Sequence, residues 1–142
     1  MRFPFLAAAS VALMSGSLAA CAEEEAKAPA PRVYFVNLHD GDMVMSPFKV
    51  VFGLENFGVA PAGVEKAKTG HHHLLIDTTL TDEDKGYPLP ADEHHRHFGG
   101  GQTETILDLP PGEHVLQLVL GDHNHVPFDP PIMSERITIR VE

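Results

Sequence analysis

The chain has 142 residues, enough for one domain but short for two, and its 43% hydrophobic content allows a packed core. Its 20 Asp and Glu outnumber 10 Lys and Arg, and the resulting net charge of −10 repels phosphate backbones, which excludes nucleic-acid binding as an expected function. The single Cys cannot form an intrachain disulfide, so the fold must depend on its core.

The first 20 residues have the pattern of a cleaved export signal. Arg2 precedes an apolar stretch that is too short to span a membrane comfortably, and small residues follow it. The tetrapeptide Leu18-Ala19-Ala20-Cys21 then resembles the lipobox of bacterial lipoproteins, in which the peptidase cuts before a lipidated Cys. We expect residues 1–20 to be a lipoprotein signal peptide and Cys21 to carry the lipid. Ordinary cleavage that leaves a soluble protein is the alternative.

The segment after the signal is expected to hold the domain at a membrane surface. Ala22 resembles the sorting signal for the outer membrane rather than the signal for inner-membrane retention. Residues 21–31 are mostly charged, small or Pro, as in a flexible tether, and the folded domain is expected over residues 32–142. These features predict a protein on the periplasmic face of the cell envelope that contacts the membrane only through its lipid anchor.

The rest of the chain has the alternating pattern of β-strands. No stretch after the signal shows the period of an amphipathic helix. In chain order, the predicted strands are residues 33–38, 43–45, 48–54, 71–77, 103–109, 116–120 and 136–141. About seven short strands, together with 12 Pro and 12 Gly, predict an all-β domain, a single immunoglobulin-like or cupredoxin-like β-sandwich.

Histidine is the unusual component, with 10 residues in the chain. It is the commonest metal-ligating side chain, so we expect a metal site. On the strand over residues 71–77, His71 and His73 share one face at a spacing of about 6.6 Å, and His72 faces the core. Two imidazoles placed in this way can converge on an ion without bending the backbone.

Two further histidine groups complete the expected site. One repeats the H-x-H spacing at the end of the strand over residues 116–120, and the other lies in a long loop that could close over it. The expected metal ligands are His71, His73, His95, His97, His123 and His125. The expected acceptors for their outer ring N–H groups are Asp77, Glu104 and Asp122.

The donor set favours borderline metal ions. Several His and no free Cys suit Cu(II), Zn(II) or Ni(II), with copper as the first choice of cofactor and zinc as the second. Met43, Met45 and Met133 offer thioether ligands for Cu(I), although Met more often fills a core. The expected function is that of a lipid-anchored periplasmic metal-binding protein that sequesters or delivers the ion, with no protein partner assigned.

Two other functions remain open. In the first, the protein is an envelope binding or scaffolding module whose histidines hold loops through hydrogen bonds, as we expect for His72 and His114. In the second, the protein is a metal-dependent hydrolase with three His ligands, a water and Glu104 as general base. The sequence contains no compact catalytic motif, so whether the protein is an enzyme stays open, with a non-enzymatic role favoured.

Four motifs of the domain together resemble a known family. They are Gly70-His71-His72-His73-Leu74-Leu75-Ile76-Asp77, Phe98-Gly99-Gly100-Gly101-Gln102-Thr103-Glu104, Leu109-Pro110-Pro111-Gly112 and Gly121-Asp122-His123-Asn124-His125. The family is a group of small exported bacterial proteins catalogued as domain of unknown function 4399. The resemblance covers roughly residues 33–141 and implies an exported β-rich domain with no established activity. At Phe128, the family pattern leads us to expect His in many relatives.

Overall fold

A computed structural model describes residues 28–142, which form an all-β domain with no helix in that part of the chain. The expected signal peptide, the lipidated Cys21 and most of the tether lie outside the described residues. The strands are β1 (Arg32–Phe35), β2 (Met43–Val44), β3 (Phe48–Glu55), β4 (Gly58–Val59), β5 (Thr69–Ile76), β6 (His95–His97), β7 (Glu104–Leu107), β8 (Gly112–Gly121) and β9 (Ile137–Val141).

The strands form two sheets that face each other across the main core. One sheet has the order β1-β3-β7, and the other has the order β2-β9-β8-β5-β4, with β6 paired to β5. Because side chains alternate along a strand, each sheet offers one apolar face to the other. Val50 and Phe52 from the first sheet pack against Leu74 and Leu118 from the second, all nearly or fully buried. The architecture is therefore sandwich-like, as the strand pattern predicts.

The outer face of the larger sheet, which points away from the main core, has a second and smaller apolar cluster. Leu75 of β5 and Val119 of β8 are fully buried there. The connection between β5 and β6 covers them with Leu80 and Leu89. This covering matters for the histidines, because His71 and His73 lie on the same face of β5 as Leu75.

Two short strands were not predicted from the sequence. β4 has 2 residues and β6 has 3, too few to display an alternating pattern. Both exist because they pair with β5, which pairs with β8 as well. None of the described residues forms a helix long and apolar enough to cross a membrane.

Candidate metal centre

β5 carries the first two histidines of the site. His71 and His73 are 0% and 1% exposed, and both point to the outer face of the larger sheet. β6 runs antiparallel to β5 and pairs His97 with His73, so the ring of His97 comes to the same face. His72 points the opposite way, into the main core, where its ring contacts Phe52. The sequence alternation predicts this division.

The fourth histidine comes from a turn after β8. The chain leaves the strand at Gly121, and the amide of His125 donates to the carbonyl of Asp122. The Asp122 carboxylate accepts hydrogen bonds from the amides of Asn124 and Val126, which closes the turn. His125 has a left-handed φ of 69°, a conformation that single non-Gly residues adopt in tight turns. The turn thereby directs the ring of His125 toward β5.

These four histidines form one cluster. His71, His73, His97 and His125 each offer one ring nitrogen, and these atoms all lie within 4.8 Å of one another. His71 Nε2 lies 3.0 Å from His73 Nε2 and 3.0 Å from His125 Nδ1. The rings of His97 and His125 meet edge to face, with 4.5 Å between their centroids. The first two histidines are buried, His125 is half-buried and His97 is exposed.

Hydrogen bonding among the rings leaves buried nitrogens unmatched. A neutral imidazole nitrogen has either one proton or one lone pair, so His71 Nε2 can bond well to only one of its two neighbours at a time. The Nδ1 atoms of His71 and His73 are also buried and have no hydrogen-bond partner among the described residues. A buried polar atom without a partner costs about 1–3 kcal/mol. The conflict at His71 Nε2 therefore argues against a network that merely stabilises the fold, whereas the Nδ1 atoms stay unmatched whether or not the converging nitrogens bind an ion.

The cluster favours neutral imidazoles. Burial, together with the neighbouring His97 and His125, lowers the pKa of His71 to about 4, and the nearby Asp122 opposes this only in part. Burial and the same group of rings lower the pKa of His73 to about 3. Burial and His125 also lower the pKa of His97. Neutral imidazole is the form that binds metal, so the buried rings of the cluster have the protonation state that metal binding requires near neutral pH.

Two of the separations between ring nitrogens match those found around a metal ion. Metal–nitrogen bonds of about 2.0–2.1 Å place neighbouring nitrogens roughly 2.9 Å apart in a square-planar site and roughly 3.3 Å apart in a tetrahedral one. The two separations of 3.0 Å at His71 lie within this range. An ion would accept the lone pairs of all four rings at once, which no hydrogen-bond pattern among them allows. The buried cluster can thus hold a metal ion.

Two of the expected ligands lie outside the cluster. His95 pairs with Leu75, two pairs farther along β5 than His97, and its Nδ1 lies 2.8 Å from Asp92 Oδ1. His123 lies in the turn after β8, and its Nε2 lies 2.9 Å from Asn124 Nδ2. The H-x-H spacing predicts a shared face for His123 and His125 only on an extended strand. The turn at this position separates them.

The three carboxylates expected to accept from the ring N–H groups of the ligands bind other partners in the structure. Asp77 accepts from the amide of Val115 and lies 2.7 Å from His114 Nδ1. Glu104 is on β7 in the other sheet, where it forms an ion pair with Lys49 at 2.9 Å. Asp122 alone is close to the cluster, and it acts on the turn backbone and electrostatically on His71.

Three remaining expectations concern His114 and the methionines. His114 bonds through Nε2 to the carbonyl oxygen of Pro110, 2.9 Å away, as well as to Asp77, so it has the structural role expected of it. Burial alone would lower its pKa, but the Asp77 carboxylate and the Pro110 carbonyl raise it overall. Met43 of β2 and the nearby Met45 are exposed, and Met133 packs in the smaller apolar cluster.

The domain thus belongs to the class of small β-sandwich-like proteins with a buried histidine cluster on one sheet face. The family model described as "Domain of unknown function (DUF4399)" matches residues 50–142. The chain belongs to this family, as the four sequence motifs predict. The matched part contains every member of the histidine cluster. No curated protein and no solved structure gives a significant match.

Proposed function

We propose that this protein binds a single metal ion at His71, His73, His97 and His125, and that it sequesters or delivers that ion outside the cytoplasm. The observation that carries the proposal is the convergence of four ring nitrogens within 4.8 Å of one another. Two of these rings are buried, and their converging Nε2 atoms contact only other imidazole nitrogens of the cluster. A binding site for a cation gives all four a common partner.

Copper is the first choice of ion and zinc is the second. An all-imidazole donor set suits Cu(II) and Zn(II), and divalent copper stands above zinc in the general order of affinity. The protein's net charge of −10 favours the approach of any cation.

The burial of the cluster favours storage or transfer of an ion over catalysis. Of the four histidines, only His97 is exposed, so an ion would approach from that side. A hydrolase of the kind considered from the sequence needs Glu104 as a base, but Glu104 lies on the other sheet with Lys49. The scaffolding alternative explains His114, whose ring nitrogens both have partners, but it cannot satisfy both contacts of His71 Nε2 at once.

The test is a titration of the folded, metal-free protein with Cu(II) and with Zn(II). We expect saturable binding of one ion that is tighter than about 10 μM, which corresponds to about −7 kcal/mol. Replacing His71 and His73 together by Ala should reduce the affinity by about two orders of magnitude or more. His39→Ala, at an exposed position in a turn before β2, is the matched control and should bind like the wild type. Absence of saturable binding would contradict the proposal.

We also propose that the protein is anchored to the periplasmic face of the cell envelope, more specifically the outer membrane, by a lipid on Cys21. The support is the sequence Leu18-Ala19-Ala20-Cys21, in which the only Cys of the chain occupies the lipidated position. A Cys21→Ser variant should lose palmitate labelling and should move from the detergent phase to the aqueous phase. Unchanged partitioning of this variant would exclude the anchor.

A further inference from the structure

Two glycines lie against the histidine cluster. A Cβ atom on Gly121 would be 2.7 Å from His73 Nε2 and 3.0 Å from His73 Cδ2. A Cβ atom on Gly99 would be 2.3 Å from His97 Cε1 and 2.6 Å from His97 Nε2. Contacts this short do not occur in real structures, so any side chain at either position would displace a ring of the cluster.

Backbone conformation does not explain these two glycines. Neither Gly99 nor Gly121 has a φ in the left-handed region that favours glycine, whereas Gly101 and Gly112 do. An L-residue could therefore adopt the backbone conformation at both positions. A side chain at either position would, however, occupy the space of an imidazole ring, because His73 lies over Gly121 and His97 lies over Gly99.

We propose that Gly99 and Gly121 are positioning residues for the metal site. Because they have no side chain, they leave the space that the rings of His97 and His73 need in order to reach the cluster. This inference rests on the proposed metal-binding function. Each glycine acts on a different kind of ligand. Gly121 supports an interior ligand, because His73 is 1% exposed, and Gly99 supports a ligand at the rim, because His97 is exposed.

The difference in burial predicts different effects for the two Ala variants. In a Gly121→Ala chain, the ring of His73 has little space to move into, because the rings of His71, His97 and His125 surround it with centroids 4.8–6.1 Å away. This variant should lose both stability and metal affinity. In a Gly99→Ala chain, the exposed ring of His97 can swing toward solvent. This variant should fold normally and lose affinity, by about 10- to 100-fold, the usual effect of changing a residue that orients a ligand.

Gly100 provides the matched control. It is the neighbour of Gly99 in the same turn, and its φ also lies outside the left-handed region. The three atoms nearest to a Cβ atom on Gly100 would all belong to the end of the Gln102 side chain, at 3.0–3.2 Å. The Gln102 Oε1 accepts a hydrogen bond from the Gly100 amide, and no hydrogen bond joins the Gln102 side chain to a histidine of the cluster, so its displacement costs that bond and leaves the four rings in place. Gly100→Ala should therefore bind metal like the wild type.

The experiment titrates the metal-free wild type, Gly99→Ala and Gly100→Ala with Cu(II), and records the melting temperature of each before metal is added. Electron paramagnetic resonance of the Cu(II) forms supplies a readout that a merely structural role would not change, since nitrogen hyperfine lines report the bound imidazoles. We expect Gly99→Ala to have a normal melting temperature, weaker binding and fewer coordinated nitrogens.

Three results would overturn the inference. Equal affinity and equal spectra for Gly99→Ala and the wild type would refute it while leaving the proposed function intact. Equal losses in Gly99→Ala and Gly100→Ala would show a general effect of the turn instead of an effect on His97. A wild type that binds no Cu(II) would refute the proposed function and this inference with it. Gly121→Ala, if it folds, provides a second test through His73.

Discussion

His72 is buried in the main core and should make the stability of the metal-free protein strongly dependent on pH. Its ring is 0% exposed and contacts Phe52, and neither ring nitrogen has a hydrogen-bond partner among the described residues. Burial lowers its pKa to about 4, and the nearby Gln102 backbone offsets part of this effect. The proposed perturbation is His72→Leu, which keeps the approximate volume of the side chain and removes its titration.

The size of the expected loss of stability at low pH follows from the pKa of His72 in the unfolded chain and in the folded protein. In the unfolded chain the His72 pKa is near its ordinary value of about 6.5, and in the folded protein it is about 4. Between these values, the unfolded state binds the proton more tightly, so stability falls as the pH drops below 6.5. At pH 5 the loss is about 1.5 pH units at 1.36 kcal/mol each, or about 2 kcal/mol. At pH 8 both states are neutral and this contribution vanishes.

The assay is urea unfolding of the metal-free wild type and His72→Leu at pH 8 and at pH 5. The variant should be the more stable protein at pH 8, because it buries no unmatched ring nitrogen. The difference in the free energy of unfolding between the variant and the wild type should be larger at pH 5 than at pH 8 by about 2 kcal/mol. Leu118→Val, in the same core, is the control and should lower stability equally at both pH values. An advantage of the same size at both pH values would refute a buried, neutral His72.

Three other predictions concern the metal site. His97→Ala should weaken Cu(II) binding less than His73→Ala does in a competition titration, because the rim ligand is exposed and three buried or half-buried rings remain. Free metal at 100 times its dissociation constant should stabilise the wild type by about 2.7 kcal/mol, seen as a rise of about 10 °C in melting temperature. Asp122→Ala removes the acceptor of two amides in the turn that carries His125, and we expect about a 10-fold loss of affinity by the same titration. An unchanged melting temperature with metal would contradict binding to the folded state. Normal affinity in the Asp122 variant would contradict a role of this turn in placing His125.

The main strands could be predicted because their alternating side chains reflect a core on one face. Residues 48–54 alternate in the sequence, and β3 spans Phe48–Glu55 in the structure. β6 could not be predicted in this way, since 3 polar residues contain no such signal and the strand forms only by pairing with β5. The region of β6 therefore appeared in the sequence as part of a long loop.

The part of the candidate site that lies on an extended strand could be predicted from the sequence. His71 and His73 share a face because β5 is extended, and this parity can be inferred from the sequence. The same inference did not separate His123 from His125, because nothing in the alternation marks the turn that Asp122 closes. The contact of Gly121 with His73 could not be found either, since it depends on which way a ring leans in three dimensions.

If the protein binds metal as proposed, the short strand β6 has a consequence for the rate at which the ion is exchanged. It contributes 3 residues at the edge of the larger sheet and, within the described part of the chain, pairs only with β5. Edge segments with few backbone hydrogen bonds open locally at a small fraction of the free energy of global unfolding. Each opening of β6 would release His97 and leave His71, His73 and His125 in position. An incoming donor group could then occupy the vacated position, so an ion could pass to an acceptor by stepwise ligand exchange without first being freed into solution.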